Sequence, residues 1–185
     1  TVGDVEVVAL NDGITRRPLG EEFVKNAPLA EVRALLASQN LPTDYIDVPY
    51  TPFLVVAGAR KILIDTGLGE FGGPTTGKLL DSLRAAGVSP EEIDTVLISH
   101  FHGDHINGVR NKAGALTFSK AKVMVPAAEY AFWMDDARVA AAPAGRRYLA
   151  GWAMASELHV LNDEYLDRRA AGEDSLAALR GTAER

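Results

Sequence analysis

Three of the four histidines in this chain lie within six residues, directly after a segment with the pattern of a buried strand. Residues 95–99 form that segment, and their mostly apolar composition is typical of a strand covered on both faces. It is followed at once by His100, His102, Asp104 and His105. The alternative is a polar loop without function, but chance would place such a cluster in roughly one chain in ten thousand. The fold must therefore gather imidazoles and a carboxylate at the end of a buried strand.

The spacing within this motif has physical consequences. Alternate residues of an extended segment point to the same side, so His100 and His102 can present their imidazoles to one metal ion. Asp104 and His105 are adjacent, so we expect their side chains to diverge, with a bend at Gly103 that directs them to a second ion. Imidazole and carboxylate ligands favour zinc first, followed by iron, manganese or cobalt. A metal ion lowers the pKa of its bound water to about 7, which predicts hydrolytic chemistry.

Composition excludes several other classes of protein. The 185 residues include 19 Lys and Arg against 25 Asp and Glu, a formal net charge of −6, which argues against a general nucleic-acid binder. The chain has no cysteine, which excludes disulfides, thiolate zinc fingers and cysteine nucleophiles. The longest apolar stretch, residues 53–59, is too short to cross a membrane. An apolar content of 47% is typical of one soluble globular domain.

The hydrophobic pattern predicts an α/β (α+β) fold. Strands are predicted over residues 5–10, 95–99 and 121–125, together with a hairpin formed by residues 53–57 and 61–64. Helices are predicted within residues 20–40, over residues 78–86 and from residue 127 onward. The last 30 residues contain 7 acidic and 4 basic side chains. We therefore divide the chain into residues 1–155 and a charged helical tail, residues 156–185, without a strand of the same sheet.

Several motifs together resemble one known family. The His-x-His-x-Asp-His motif after a buried strand, with the upstream turn of residues 64–67, resembles the metallo-β-lactamase-fold hydrolases. The run of residues 71–77 and the pair Phe132 and Trp133 are most similar to the methyl parathion hydrolase branch. The resemblance covers about residues 5–155. It implies an αββα sandwich of two similar halves, of which this chain would contain mainly the first ββα half.

The resemblance also implies roles for the residues of the motif. His100 and His102 would bind the first of two divalent ions, and Asp104 and His105 the second. Asp104 would in addition be catalytic, holding the hydroxide in line for attack. Asp65 would hydrogen-bond a ligand histidine from behind, the alternative being an ordinary turn aspartate.

Two aromatic residues are candidates for a substrate pocket. By resemblance, Phe71 and Trp133 would line the hydrophobic site for the leaving group. The alternative is that both are ordinary core aromatics.

The family pattern requires further ligands that this sequence does not supply at the expected spacing. A third histidine for the first ion, a bridging aspartate and a final histidine should follow the motif. His159 follows it too early and is interpreted as a surface or core residue. Asp163 and Asp167 are interpreted as part of a solvated helical face. The expectation is a half-fold or a truncated chain.

Three functional hypotheses follow. The leading one is a hydrolase with two zinc ions, or iron, manganese or cobalt, whose metal-bound hydroxide cleaves an ester, lactone or phosphotriester. The alternative is a truncated, non-catalytic family member that acts through pairing with a partner. A third is a one-metal binding or storage protein using His100, His102 and His105. The expected partner is a small-molecule substrate, neither nucleic acid nor membrane, and a homodimer is a further expectation. The compartment is left open between the cytoplasm and export to the periplasm.

Overall fold

The chain contains both strands and helices, and the computed structural model describes its residues 1–133, 135–141 and 158–161. Within these residues the strands are β1 (Val5–Ala9), β2 (Gly13–Pro18), β3 (Tyr45–Tyr50), β4 (Phe53–Ala57), β5 (Arg60–Ile64), β6 (Thr95–Leu97), β7 (Lys122–Pro126) and β8 (Leu158–Leu161). The helices are α1 (Leu29–Ser38), α2 (Leu79–Ala85), α3 (Gly103–Ile106), α4 (Ala127–Trp133) and α5 (Asp136–Ala141). The mixed α/β class predicted from the sequence is confirmed.

One mixed sheet organises the fold, with the strand order β1-β4-β5-β6-β7-β8. β4 is antiparallel to both β1 and β5, whereas β5, β6, β7 and β8 run parallel to one another. The predicted hairpin is confirmed as β4 and β5, and Gly58 turns between them with a φ of 61°, which favours glycine. Because β5, β6 and β7 are parallel, their carboxyl ends lie at the same edge of the sheet.

The hydrophobic core lies against one face of this sheet. A row of aligned residues crosses four strands and is at most 1% exposed: Leu54, Leu63, Val96 and Val123. Helix α2 and the segments around β6 complete the same cluster with Leu79, Leu83, Ile93, Phe101, Ile106 and Phe118. The neighbouring row points to the other face, where Phe53 is 40% exposed. The strand period of two therefore separates a fully buried face from a partly exposed one.

β2 and β3 form a separate antiparallel pair that the sequence analysis did not predict. The sequence of β2, Gly13–Pro18, has only one large apolar residue, Ile14, so its pattern gave no strand signal. Arg16 and Asp47 lie opposite each other in the register and form a bidentate ion pair with distances of 2.8 and 2.9 Å. The antiparallel backbone ladder joins the two strands, and the exposed Arg16–Asp47 pair adds a polar cross-strand contact to it.

Strand β8 corrects one expectation about the tail. Leu158–Leu161 pairs in parallel with β7, so the prediction that residues 156–185 contain no strand of the main sheet is wrong for these four residues. A run of three apolar residues in four is sufficient for a short strand beside β7. Asp163 and Asp167 lie outside the described residues, and the division at residue 155 stays a prediction. Among the described helices, none has the length and apolarity needed to cross a membrane.

Candidate metal centre

Polar residues follow the carboxyl ends of three parallel strands and therefore lie at one edge of the sheet. Asp65 follows β5, the histidine loop follows β6, and Glu129 lies in the first turn of α4, directly after β7. Asp65 N donates a 2.8 Å hydrogen bond to Leu97 O, which fixes the end of β5 against the end of β6. This edge is the candidate metal centre.

His100 and His102 project to the same side of the extended backbone, as predicted. Between them, Phe101 is fully buried in the core, so the two imidazoles face away from the core. His100 Nε2 lies 3.1 Å from His102 Nδ1. We call these two residues the first donor pair.

Asp104 and His105 lie on the short helix α3, where the chain turns after His102. The expectation that their side chains diverge is wrong: His105 Nε2 lies 3.3 Å from Asp104 Oδ2. The prediction assumed an extended backbone, in which adjacent side chains point to opposite sides. On the helical turn beginning at Gly103 they are only about 100° apart, so their ends can meet. We call Asp104 and His105 the second donor pair. The two pairs adjoin, since the ring centroids of His100 and His105 are 3.9 Å apart.

Asp65 supports the second donor pair from behind. Its Oδ2 accepts a 2.8 Å hydrogen bond from His105 Nδ1, the contact that the resemblance implied. Its Oδ1 accepts a hydrogen bond of 2.7 Å from Ser99 N, and its Oδ2 accepts a second one of 2.8 Å from Ser99 Oγ. Asp65 has a φ of 61°, a conformation rare for residues other than glycine, which the surrounding hydrogen bonds maintain. Its role behind a metal ligand stays a prediction.

The hydrogen bonds behind the rings assign the imidazole tautomers. Because Asp65 accepts from His105 Nδ1, the lone pair of His105 is on Nε2, which faces Asp104. Ser99 Oγ donates to Asp65 and can therefore accept from His100 Nδ1, 3.0 Å away. This leaves the lone pair of His100 on Nε2, facing His102. Both nitrogens are thereby prepared to bind a metal ion.

The two donor pairs differ in electrostatics. Burial lowers the pKa of His100, and the neighbouring His105 and His102 lower it further. For His105, the hydrogen bond to Asp65 raises the pKa, against an opposing effect of burial. The surroundings thus shift the pKa values of the two rings in opposite directions, downward for His100 and upward for His105.

Residues that the sequence analysis left without a role hold this edge together. Thr66, fully buried, donates from both N and Oγ1 to His105 O at 2.8 Å. Gly108 packs so closely that a Cβ there would collide with Thr66 O. Asp12, also fully buried, accepts from the amides of Leu68 and Leu79 at 2.8 and 3.0 Å. In the sequence, the only indication that Thr66 matters is its position in the turn that resembles the family. Its buried contact with His105, 39 residues further along the chain, cannot be predicted from the local sequence.

The two aromatic candidates, Phe71 and Trp133, have different surroundings. Phe71 ends a 3-10 turn and is 44% exposed. Trp133 packs partly against the core, and its Nε1 donates 3.0 Å to Glu129 Oε2. Within the described part of the chain, a cavity of about 90 Å³ borders Asp65, Asp104 and His105, with residues 49–52 as its other lining. Neither aromatic lines it, and their assignment to a leaving-group pocket stays a prediction.

The donor chemistry and spacing fit divalent ions such as zinc. Two ligands of one tetrahedral zinc, each at about 2.0–2.2 Å, are about 3.3–3.6 Å apart. Within the first donor pair the two ligand atoms are 3.1 Å apart, and within the second they are 3.3 Å apart. In the described ranges, no three or more His, Asp or Glu side chains form a single group that would hold an ion. Each pair would therefore supply two ligand atoms to an ion, and a four-coordinate ion would need others in addition.

Comparison with known proteins gives the family. The sequence model described as the metallo-beta-lactamase superfamily matches residues 46–180, which is more than half of the chain. The chain belongs to the metallo-beta-lactamase superfamily. The match includes both donor pairs and extends past residue 155 into the predicted tail. The family predicted from the motif is confirmed, and the methyl parathion hydrolase branch stays a prediction.

Solved structures support the same assignment. AidC, a dizinc quorum-quenching lactonase in complex with a product, is 27% identical with a TM-score of 0.77, covering 86% of this chain and 58% of that one. The hydrolase AbOPH of the beta lactamase superfamily is 28% identical with a TM-score of 0.74, covering 89% of this chain and 60% of that one. The chain thus spans about 60% of the length of these structures.

Curated relatives match over shorter segments. The anti-Pycsar protein Apyc1 of Paenibacillus sp. (strain J14) is 39% identical over 69 residues, which are 37% of this chain and 24% of the relative. The beta-lactamase-like protein 2 homolog of Caenorhabditis elegans is 35% identical over 60 residues, which are 32% of this chain and 19% of the relative. The matched segments thus span about a quarter or less of these relatives.

Proposed function

We propose that the protein is a hydrolase that uses two divalent ions, zinc in the first instance, to cleave an ester, lactone or phosphotriester of a small molecule. The observation that carries the proposal is the pairing of lone-pair donors at the sheet edge, each pair at a separation suited to one ion. Membership of the superfamily and the similarity to a dizinc lactonase support it.

Side chains around the motif orient two of its imidazole rings in the absence of a ligand. His105 Nδ1 donates to Asp65 and His100 Nδ1 to Ser99 Oγ, which orients both rings with Nε2 away from these acceptors. His100, His102, Asp104 and His105 would hold the ions. When bound, two such ions supply a nucleophile at neutral pH by lowering the pKa of water, and they stabilise the developing negative charge.

Asp104 has a second role in the proposal. Its carboxylate is 36% exposed and lines the cavity that residues 49–52 also border. An exposed carboxylate oxygen there would orient the attacking water by accepting a hydrogen bond, while residues 49–52 flank the substrate. The lactone class is the first to test, because AidC acts in that class and is 27% identical. The motif residues favour the methyl parathion hydrolase-like branch, and membership of that branch would add phosphotriesters to the substrate classes to test.

Turnover of lactone, ester and phosphotriester substrates by the purified full chain tests the proposal. We expect activity toward at least one class, lost on removal of metal by a chelator and restored by about two equivalents of zinc. Asp104→Asn should lower kcat by about 100-fold or more. Asp81→Asn is the control and should leave kcat unchanged, because the Asp81 side chain on α2 is 73% exposed. Turnover that is insensitive to the chelator would overturn the proposal. So would a zinc-loaded chain that cleaves none of the three classes, which would favour the non-catalytic alternative.

A further inference from the structure

Glu129 makes the contact that links helix α4 to the middle of the first donor pair. Its Oε2 accepts a 2.9 Å hydrogen bond from Phe101 N, the amide that lies between His100 and His102. Phe101 is also anchored by its ring, which is fully buried in the core. The backbone between the two histidines is thereby fixed on both sides, by apolar packing and by a charge-assisted hydrogen bond.

The carboxylate of Glu129 is itself held in place. Trp133, four residues further along α4, donates from Nε1 to the same Oε2 at 3.0 Å. Residues four apart on a helix share a face, so the indole can orient the carboxylate without distorting the helix. Trp133 packs partly against the core and in turn makes an edge-to-face contact with Phe132, with ring centroids 5.2 Å apart. A chain of contacts therefore runs from the core through Trp133 and Glu129 to the first donor pair.

The second donor pair has different support, which makes the effect of Glu129 selective. Asp65 and Thr66 hold His105, and neither bonds to Phe101 among the contacts of the described residues. We propose that Glu129 is a positioning residue for the first metal ion, keeping His100 and His102 at binding distance through the amide of Phe101. This inference rests on the proposed function, because it requires that the first donor pair binds metal.

Cobalt titration of the metal-free full chain, followed by the visible absorption of bound Co²⁺, tests the inference. His102→Ala identifies the absorption phase of the first ion, and His105→Ala that of the second. In Glu129→Ala we expect affinity in the first phase to fall by about 10- to 100-fold, with the second phase changed by less than about threefold. Glu31→Ala is the matched control, since Glu31 is an exposed glutamate in the first turn of α1.

Glu129→Gln separates positioning from general stabilisation. Both hydrogen bonds end on one oxygen, so the amide oxygen of Gln can accept both, and we expect affinity within about threefold of the wild type. If Glu129→Ala does not fold, Trp133→Phe keeps the ring but removes the N–H donor. It should weaken only the first phase, by about threefold.

Three results would overturn the inference while leaving the proposed function intact. These are equal weakening of both phases, no weakening relative to Glu31→Ala, and a Gln variant as impaired as the Ala variant. A wild-type chain that takes up no cobalt would instead remove the proposed function and the inference together.

Discussion

The first donor pair, His100 and His102, projects from extended backbone, whereas the second pair, Asp104 and His105, lies on a helical turn. In the first pair, the backbone amide between the two histidines donates a hydrogen bond to the carboxylate of Glu129. In the second pair, a carboxylate bonds directly to the His105 ring. The two carboxylates thus act at different points of one six-residue loop, Glu129 on the backbone of the first pair and Asp65 on a ring of the second.

Replacing Asp65 by Asn should separate the two pairs most strongly. If the Asn oxygen accepts from Ser99 N, its NH₂ group faces His105 Nδ1 and forces the ring proton onto Nε2, which then cannot bind metal. We expect zinc affinity to fall by about 10- to 100-fold for the second ion. The first ion should be affected less, because Asp65 reaches His100 only through Ser99 Oγ. Competition with a chromophoric chelator measures both constants.

Asp81→Asn is the control for this change, being an exposed aspartate on α2. Equal loss at both ions in Asp65→Asn would contradict the comparison, since it would mean that Asp65 supports both pairs to the same extent. Unchanged binding of both ions would show that the tautomer of His105 is set in another way.

A change at Gly108 should disturb the second pair through the backbone. An alanine Cβ there would collide with Thr66 O, and Thr66 holds the carbonyl of His105. We expect Gly108→Ala to lower the free energy of unfolding by about 1–3 kcal/mol, measured by urea denaturation. Gly73→Ala is the matched control, because a Cβ at Gly73 meets no atom within 4 Å. A stability equal to that of the control would show that the turn and the loop are not closely packed.

The smallest expected difference between the pairs is in their response to pH without metal. Protonated His105 is favoured in the folded state, because Asp65 raises its pKa. Its contribution to stability is full below about pH 6.5 and is lost as the pH rises through the raised pKa. For His100 the sign is reversed, because burial lowers its pKa. Its contribution is present above about pH 6.5 and is lost as the pH falls through the lowered value.

NMR titration of the imidazole Cε1 protons in the metal-free chain checks both signs. We expect the midpoint of His105 to lie above that of His100, and Asp65→Asn to lower the His105 midpoint while leaving that of His100 less affected. Midpoints in the opposite order would contradict the assigned hydrogen bonds.

The sequence predicted the parts of the fold that depend on local pattern. The hairpin, the buried strand before the motif and the alternation of His100 and His102 follow from a period of two. The convergence of Asp104 and His105 could not be predicted, because it requires knowing that the chain becomes helical at Gly103. The contacts of Glu129 and Thr66 join residues 28 and 39 positions apart, and such pairs are set by the strand order of the sheet.

The zinc content of the full chain, purified without added metal, tests the central claim most directly. Elemental analysis should find about two zinc ions per wild-type chain, and about one in each double variant, His100→Ala with His102→Ala or Asp104→Ala with His105→Ala. A wild-type content near zero would contradict the account, as would double variants that retain both ions.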